Sequence, residues 1–113
     1  MGTLPEIESE FERAQRARQR GNEGQARVCA RRAAGVAARV YLARRGTPTQ
    51  TSSAYDVLRL IADDTALAPQ TRGFAAHLTL RVDEAFKLPP GIDLIDEARR
   101  LCSALLEEAA PAT

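Results

Sequence analysis

The chain has no tryptophan, one histidine, one lysine and only two cysteines in 113 residues. Cys29 and Cys102 lie far apart, each on an apolar helical stripe without a second thiol or a histidine near it in sequence. With that spacing neither a disulfide framework nor a zinc-ligand cluster is visible, and both thiols are expected to be buried and inert. No run approaches the ~20 apolar residues that span a bilayer. The first ten residues carry Glu6, Glu8 and Glu10, where a secretory leader has a basic start and an apolar block. A cytoplasmic protein without membrane contact is the expectation. Sustained period-two alternation is missing, which argues against a sheet, and so are internal repeats and low-complexity segments. The chain also lacks a Gly-rich phosphate loop, a histidine pair for zinc, and a serine or cysteine set beside a possible base. No cofactor and no metal are expected. Asp63-Asp64 and Asp83-Glu84 are adjacent in sequence, so their carboxylates point apart on a helix and read as solvated faces.

Helical periodicity fills the chain instead. At this length a single domain, residues 1–113, buries roughly two thirds of its unfolded surface without a staple. The central stretch is Asn22 to Arg45, expected as the longest helix. Asn22 caps it, Gln25 is placed to reach back in a capping box, and Gly46 supplies the left-handed residue that ends it. At about 100° per residue, Ala26, Cys29, Ala30, Ala33, Val36, Ala37 and Val40 fall on one side, and Arg27, Arg31, Arg32 and Arg39 on the other. A narrower stripe of Val28, Gly35 and Leu42 runs between the arginines, so the helix has two contact sides, as in a bundle or a dimer. The run of Ala30, Ala33 and Ala37 predicts a close helix contact.

Around it lie four further helical patterns. Thr3 and Glu6 form a capping box across Pro5, and Leu4, Ile7, Phe11 and Ala14 line a first helix over about residues 4–20. The Gly21-Asn22 turn is short enough to fold the first two helices into an antiparallel hairpin. After the loop Gly46–Thr51, Ser53 with Asp56 caps a third helix with Ala54, Val57, Leu58, Ile61 and Ala62 inward. Pro69 precedes a fourth pattern in which Phe74, Ala75, Leu78, Val82, Ala85 and Phe86 recur at three and four, stopped by Pro89-Pro90-Gly91. Asp93 caps a last helix whose inner side is Ile95, Ala98, Leu101, Cys102, Leu105 and Ala109. The fold class is all-α, an up-and-down bundle of four main helices with one short or broken helix.

The net charge of +1 conceals an asymmetry. Residues 11–45 hold ten arginines against two glutamates, a net +8, while residues 46–113 carry −4 and the first ten residues −3. Arg27, Arg31, Arg32 and Arg39 are therefore the candidate nucleotide- or RNA-binding side chains. The bland alternative is a solvated arginine face paired with acidic neighbours. For chemistry, the sole histidine, His77, follows Arg72 by five positions, roughly 140° around a helix. An arginine to steady phosphorane-like charge and a histidine to act as acid or base form a weak catalytic motif.

Arg31-Arg32-Ala33-Ala34 on the long helix, the Pro/Thr loop, Tyr55-Asp56-Val57-Leu58, Phe86-Lys87-Leu88-Pro89-Pro90 and Asp96-Glu97-Ala98 occur in an order that resembles the HEPN superfamily over roughly residues 5–108. The resemblance implies a four-helix up-and-down bundle, usually dimeric. Some members accompany a minimal nucleotidyltransferase, and others are metal-independent ribonuclease toxins with an Arg-x(4–6)-His motif. Arg72 and His77 fit that spacing. Gly73 and Phe74 stand where the ribonucleases favour a polar residue, and Lys87-Leu88-Pro89 resembles the Arg-Tyr-Pro of non-catalytic members. The first expectation is thus a non-enzymatic, homodimeric helical module that binds a partner protein, such as a minimal nucleotidyltransferase, or a nucleotide or RNA. The alternative is a ribonuclease using Arg72 and His77.

Overall fold

A computed structural model describes residues 3–80 and 91–108, apart from the side chains of Thr3 and Glu108. The expected cap at Thr3, the apolar positions Val82, Ala85, Phe86 and Ala109, the Asp83-Glu84 pair and the Lys87-Leu88-Pro89 segment lie outside the described residues. Within them the chain is all-helical, with α1 (Thr3–Gln19), α2 (Glu23–Arg44), α3 (Ala54–Ala62), α4 (Pro69–Leu78) and α5 (Leu94–Glu108). None of these helices is long and apolar enough to cross a membrane. The 22-residue α2 is the longest and packs against α1, α3 and α5, while α3, α4 and α5 are joined in turn.

The hinge between α1 and α2 shows how tightly the sequence is used. The Asn22 N–H closes the end of α1 on Ala17 O at 2.8 Å, and Gly21 N–H reaches Arg18 O at 2.9 Å. Gly21 takes φ +78°, which only glycine adopts without strain. Asn22 Oδ1 then accepts the Gln25 N–H at 3.1 Å and opens α2. The reciprocal half of the expected capping box is not made: the Asn22 N–H is given to Ala17 O, and the Gln25 amide donates to Cys29 Sγ one turn on. Gly46, at φ +82°, ends α2 in the same way as Gly21 ends α1, with Thr47 N–H on Leu42 O at 2.9 Å.

Small side chains let α2 sit at the centre. Ala26, Ala30, Ala33, Ala34, Ala37 and Ala38 are all fully buried, together with Cys29, Gly35, Tyr41 and Leu42. Ala30, Ala33 and Ala37, expected at a helix contact, are fully buried. Burial runs further round the helix than its strongest apolar stripe, since three neighbouring helices cover it. The second stripe is largely covered within the chain: a Cβ built on Gly35 would stand 2.9 Å from that of Ala54 at the start of α3. Leu42 is buried and Val28 partly so. α1 contributes Ile7, Phe11, Ala14 and Ala17, but Leu4, expected to line the same face, is 62% exposed in the first turn.

The later helices show two further differences. α4 starts on Pro69, at a position where its missing N–H costs nothing, and stops at Leu78. The periodicity alone carries the pattern on to Phe86; the turn is made by Thr79, whose buried hydroxyl donates to Ala76 O. Asp64, expected on a solvated face, is instead 14% exposed and accepts from the Tyr41 hydroxyl at 3.1 Å, from Arg45, and from the Ala66 N–H at 2.9 Å. Its neighbour Asp63 is exposed as expected. Asp93 caps α5 through the Ile95 and Asp96 N–H groups, and Arg18 joins both its oxygens to Glu23, tying the ends of α1, α2 and α5 together.

Candidate functional site: an arginine-lined groove on the long helix

Two open clefts of about 430 and 500 Å³ lie side by side along α2 and share Val28, Arg31 and Tyr55. Helical spacing explains the row. Arg27 and Arg31 are one turn apart on one face, and Arg32 and Arg39 are seven residues apart on an adjoining one. All four sequence-predicted arginines line the groove: Arg27 and Arg31 in one cleft, Arg31, Arg32 and Arg39 in the other.

Two of the four are fixed by backbone carbonyls. Arg31 Nε donates to Leu78 O at 2.8 Å. Leu78 is the last residue of α4, so this carbonyl lacks a partner within its helix and sits at the negative end of the helix dipole. Arg39 donates to Ser52 O at 2.7 Å, just ahead of the Ser53 cap of α3. A guanidinium has five N–H donors, and each of these bonds uses one. Burial pushes the Arg31 pKa down and the neighbouring charge of Arg27 pushes the same way, against a smaller opposing effect of Tyr55. Charge is thus held half out of water without full local compensation, which an anion in the groove would supply.

Residues from other elements complete the walls. Tyr55 from α3 stands at the junction of the two clefts, Thr79 and Leu80 close one end, and Glu6 and Glu10 of α1 with Ser52 and Ser53 close the other. Neither Glu6 nor Glu10 was marked by the sequence as a site residue, and no local signal could have marked them, because α1 meets the arginines only through the hairpin. A third, smaller cleft of about 190 Å³ lies between Arg13, Arg16 and Arg20 of α1 and Gln25 and Cys29 of α2.

The other predicted pair is placed differently. Arg72 and His77 are both on α4 and both partly buried, and neither lines the arginine groove. His77 Nδ1 lies 2.5 Å from Glu97 Oε1 of α5, while Arg72 Nε is buried without a hydrogen-bond partner. The histidine is oriented by Glu97 and lies outside the arginine groove. Both cysteines are buried and free, and burial, opposed by Arg99, pushes the Cys102 thiol up to about 12. No cluster of metal-ligating side chains occurs among the described residues. Comparison with known protein families, with curated proteins and with solved structures finds no match for the chain.

Proposed function

We propose that the chain is a non-enzymatic, HEPN-like helical module that binds nucleotide or RNA phosphates along the arginine side of α2. The observation that carries this reading is the cleft around Arg27 and Arg31. Two arginines one turn apart share it, Arg31 is half-buried and held below its ordinary range, and no carboxylate is among the described residues that line the cleft. Like charges kept together in a partly desolvated wall favour an anion, and guanidinium forks suit phosphate. The order of helices, with α1 folded back on α2 and α5 returning to α2, is compatible with a HEPN-like bundle. The homodimer implied by the same resemblance gains no support from the Val28, Gly35 and Leu42 stripe, which is largely covered within the chain.

Fluorescence anisotropy of a labelled hexauridylate, titrated with the protein at low and moderate salt, tests the reading. Binding that weakens steeply with salt and again in Arg27→Gln is expected. No binding at low salt, or an unchanged affinity in Arg27→Gln, would overturn it. The ribonuclease reading keeps one support, the Glu97-oriented His77. It predicts cleavage of the same oligonucleotide in the presence of a metal chelator, abolished by His77→Ala; an oligonucleotide that stays intact removes it.

A further inference from the structure

The arginine surface does not stop at α2. The small cleft of about 190 Å³ between α1 and α2 is lined by Arg13, Arg16 and Arg20 with Gln25 and Cys29. It abuts the cleft of Arg31, Arg32 and Arg39, because Glu10, which lines that cleft, meets Arg13 at 3.7 Å. The three clefts thus form one connected surface, joined at Arg31 on one side and at the Glu10–Arg13 pair on the other. Seven of the ten arginines in residues 11–45 line it, against two carboxylates, Glu6 and Glu10, among the described residues. Pairing within α1 does little to quench this charge. Arg13 and Arg16 are mostly exposed and pair with Glu10 and Glu12 about one turn away, contacts worth little in water. Arg20 is exposed and makes no ion pair among the described residues.

The path of the surface restricts its ligand. The Arg27–Arg31 cleft faces α3 and the end of α4, whereas the Arg13–Arg20 cleft faces α1. Arg27 and Arg31 follow Gln25 and Cys29 by two positions each, about 160° around the helix, so these clefts lie on nearly opposite flanks of the first half of α2. The Arg31–Arg39 cleft joins them further along the helix. A ligand that fills all three has to turn around α2. A mononucleotide carries its charge at one end and loads one cleft. A duplex is a stiff rod, with a persistence length of about 500 Å for DNA, and does not follow such a turn. A single strand carries a phosphate at every nucleotide and bends between them, as strands do in basic grooves. We propose that this surface takes a single nucleic-acid strand that runs from the Arg27–Arg31 cleft round α2 and onto Arg13, Arg16 and Arg20 of α1. The α1 arginines form a second contact region, reached only by strands long enough to make the turn. The proposal rests on the phosphate-binding reading above and adds to it the form of the ligand and the α1 region.

The test is fluorescence anisotropy of the full chain with labelled tetrauridylate, labelled dodecauridylate and a labelled 12-base-pair RNA duplex. Dodecauridylate should bind about fiftyfold tighter than tetrauridylate at low salt, more than its additional registers alone would give, and the duplex about tenfold weaker than dodecauridylate. Arg16→Gln combined with Arg20→Gln changes two exposed side chains. It should weaken dodecauridylate binding about tenfold and lower its salt slope by about 1.4, at about 0.7 per phosphate on a single strand. Tetrauridylate binding should stay as it was. Arg59→Gln combined with Arg100→Gln removes the same charge from exposed positions outside the three clefts and should leave both strands unaffected. A length gain no larger than the extra registers give, or equal losses from the two double variants, overturns the α1 region while phosphate binding stands. So does a tetrauridylate loss as large as that of dodecauridylate. Duplex binding as tight as that of dodecauridylate overturns the single strand. Failure of every oligonucleotide to bind overturns both readings.

Discussion

At Gly35 the absence of a side chain is a packing requirement. A Cβ there would stand 2.9 Å from the Ala54 Cβ and 3.2 Å from its Cα, and the second of these is backbone that cannot swing aside. Gly35→Ala should therefore lower the thermal midpoint by separating α2 from α3, at a cost of about 1–3 kcal/mol despite the better helix propensity of alanine. Thermal melting followed by circular dichroism reads this, and an unchanged midpoint would show that α3 rides clear of the site. Asp93 offers a different handle. Burial raises its pKa, but the Asp96 N–H, the Arg18 guanidinium and the Ile95 N–H outweigh it, so the carboxyl sits below its ordinary range. A folded-state value below the unfolded one means that the unfolded chain binds the proton more tightly. The stabilisation is present above the ordinary aspartate range and is lost as pH falls through and below about 4. Urea midpoints measured from pH 6 to pH 3 should fall less steeply for Asp93→Asn than for the parent chain; parallel curves would remove Asp93 from the acid response.

Elements that depend on neighbours in sequence were legible. Asn22, Ser53 and Asp93 all cap helices as their positions suggest, and replacing Asn22 with alanine should cost about 0.5–2 kcal/mol by urea denaturation. A smaller loss would mean that water replaces the cap. Ala26, Ala30, Ala33 and Ala37 of α2 were equally readable, because period and size select them together, whereas Ala34 and Ala38 are buried outside that stripe. Contacts made across the chain were not. Arg31 reads as one more surface arginine until α4 ends beside it and offers the Leu78 carbonyl, 47 positions away. His77 gains Glu97 and Asp64 gains Tyr41 and Arg45 by the same kind of non-local meeting. The groove itself was half legible: its four arginines share helix faces, but Tyr55, Glu6 and Glu10 come from helices whose docking no local pattern announces. Periodicity also did not announce the end of α4 at Leu78, since the apolar spacing runs on through Thr79 towards positions outside the described residues.

Across the whole molecule, the basic segment 11–45 becomes the second half of α1 and all of α2, so the sequence asymmetry turns into a spatial one. Phosphate binding there should show a linear loss of log affinity with log salt, and Arg27→Gln should reduce that slope by about one phosphate contact. A slope unchanged by the substitution would place the contacts elsewhere. The alanine lining of α2 has a last consequence, in entropy. Its six fully buried alanines have no side-chain torsion to freeze, so over most of its length the helix at the centre of the bundle orders its inner surface at little rotamer cost. The rotamer freedom lost on folding is concentrated in Tyr41 and Leu42 near its C-terminal end and in the leucines, isoleucines and phenylalanine of the helices around it, and any slow rearrangement of the core has to occur there, against an alanine-lined stretch with nothing to rearrange.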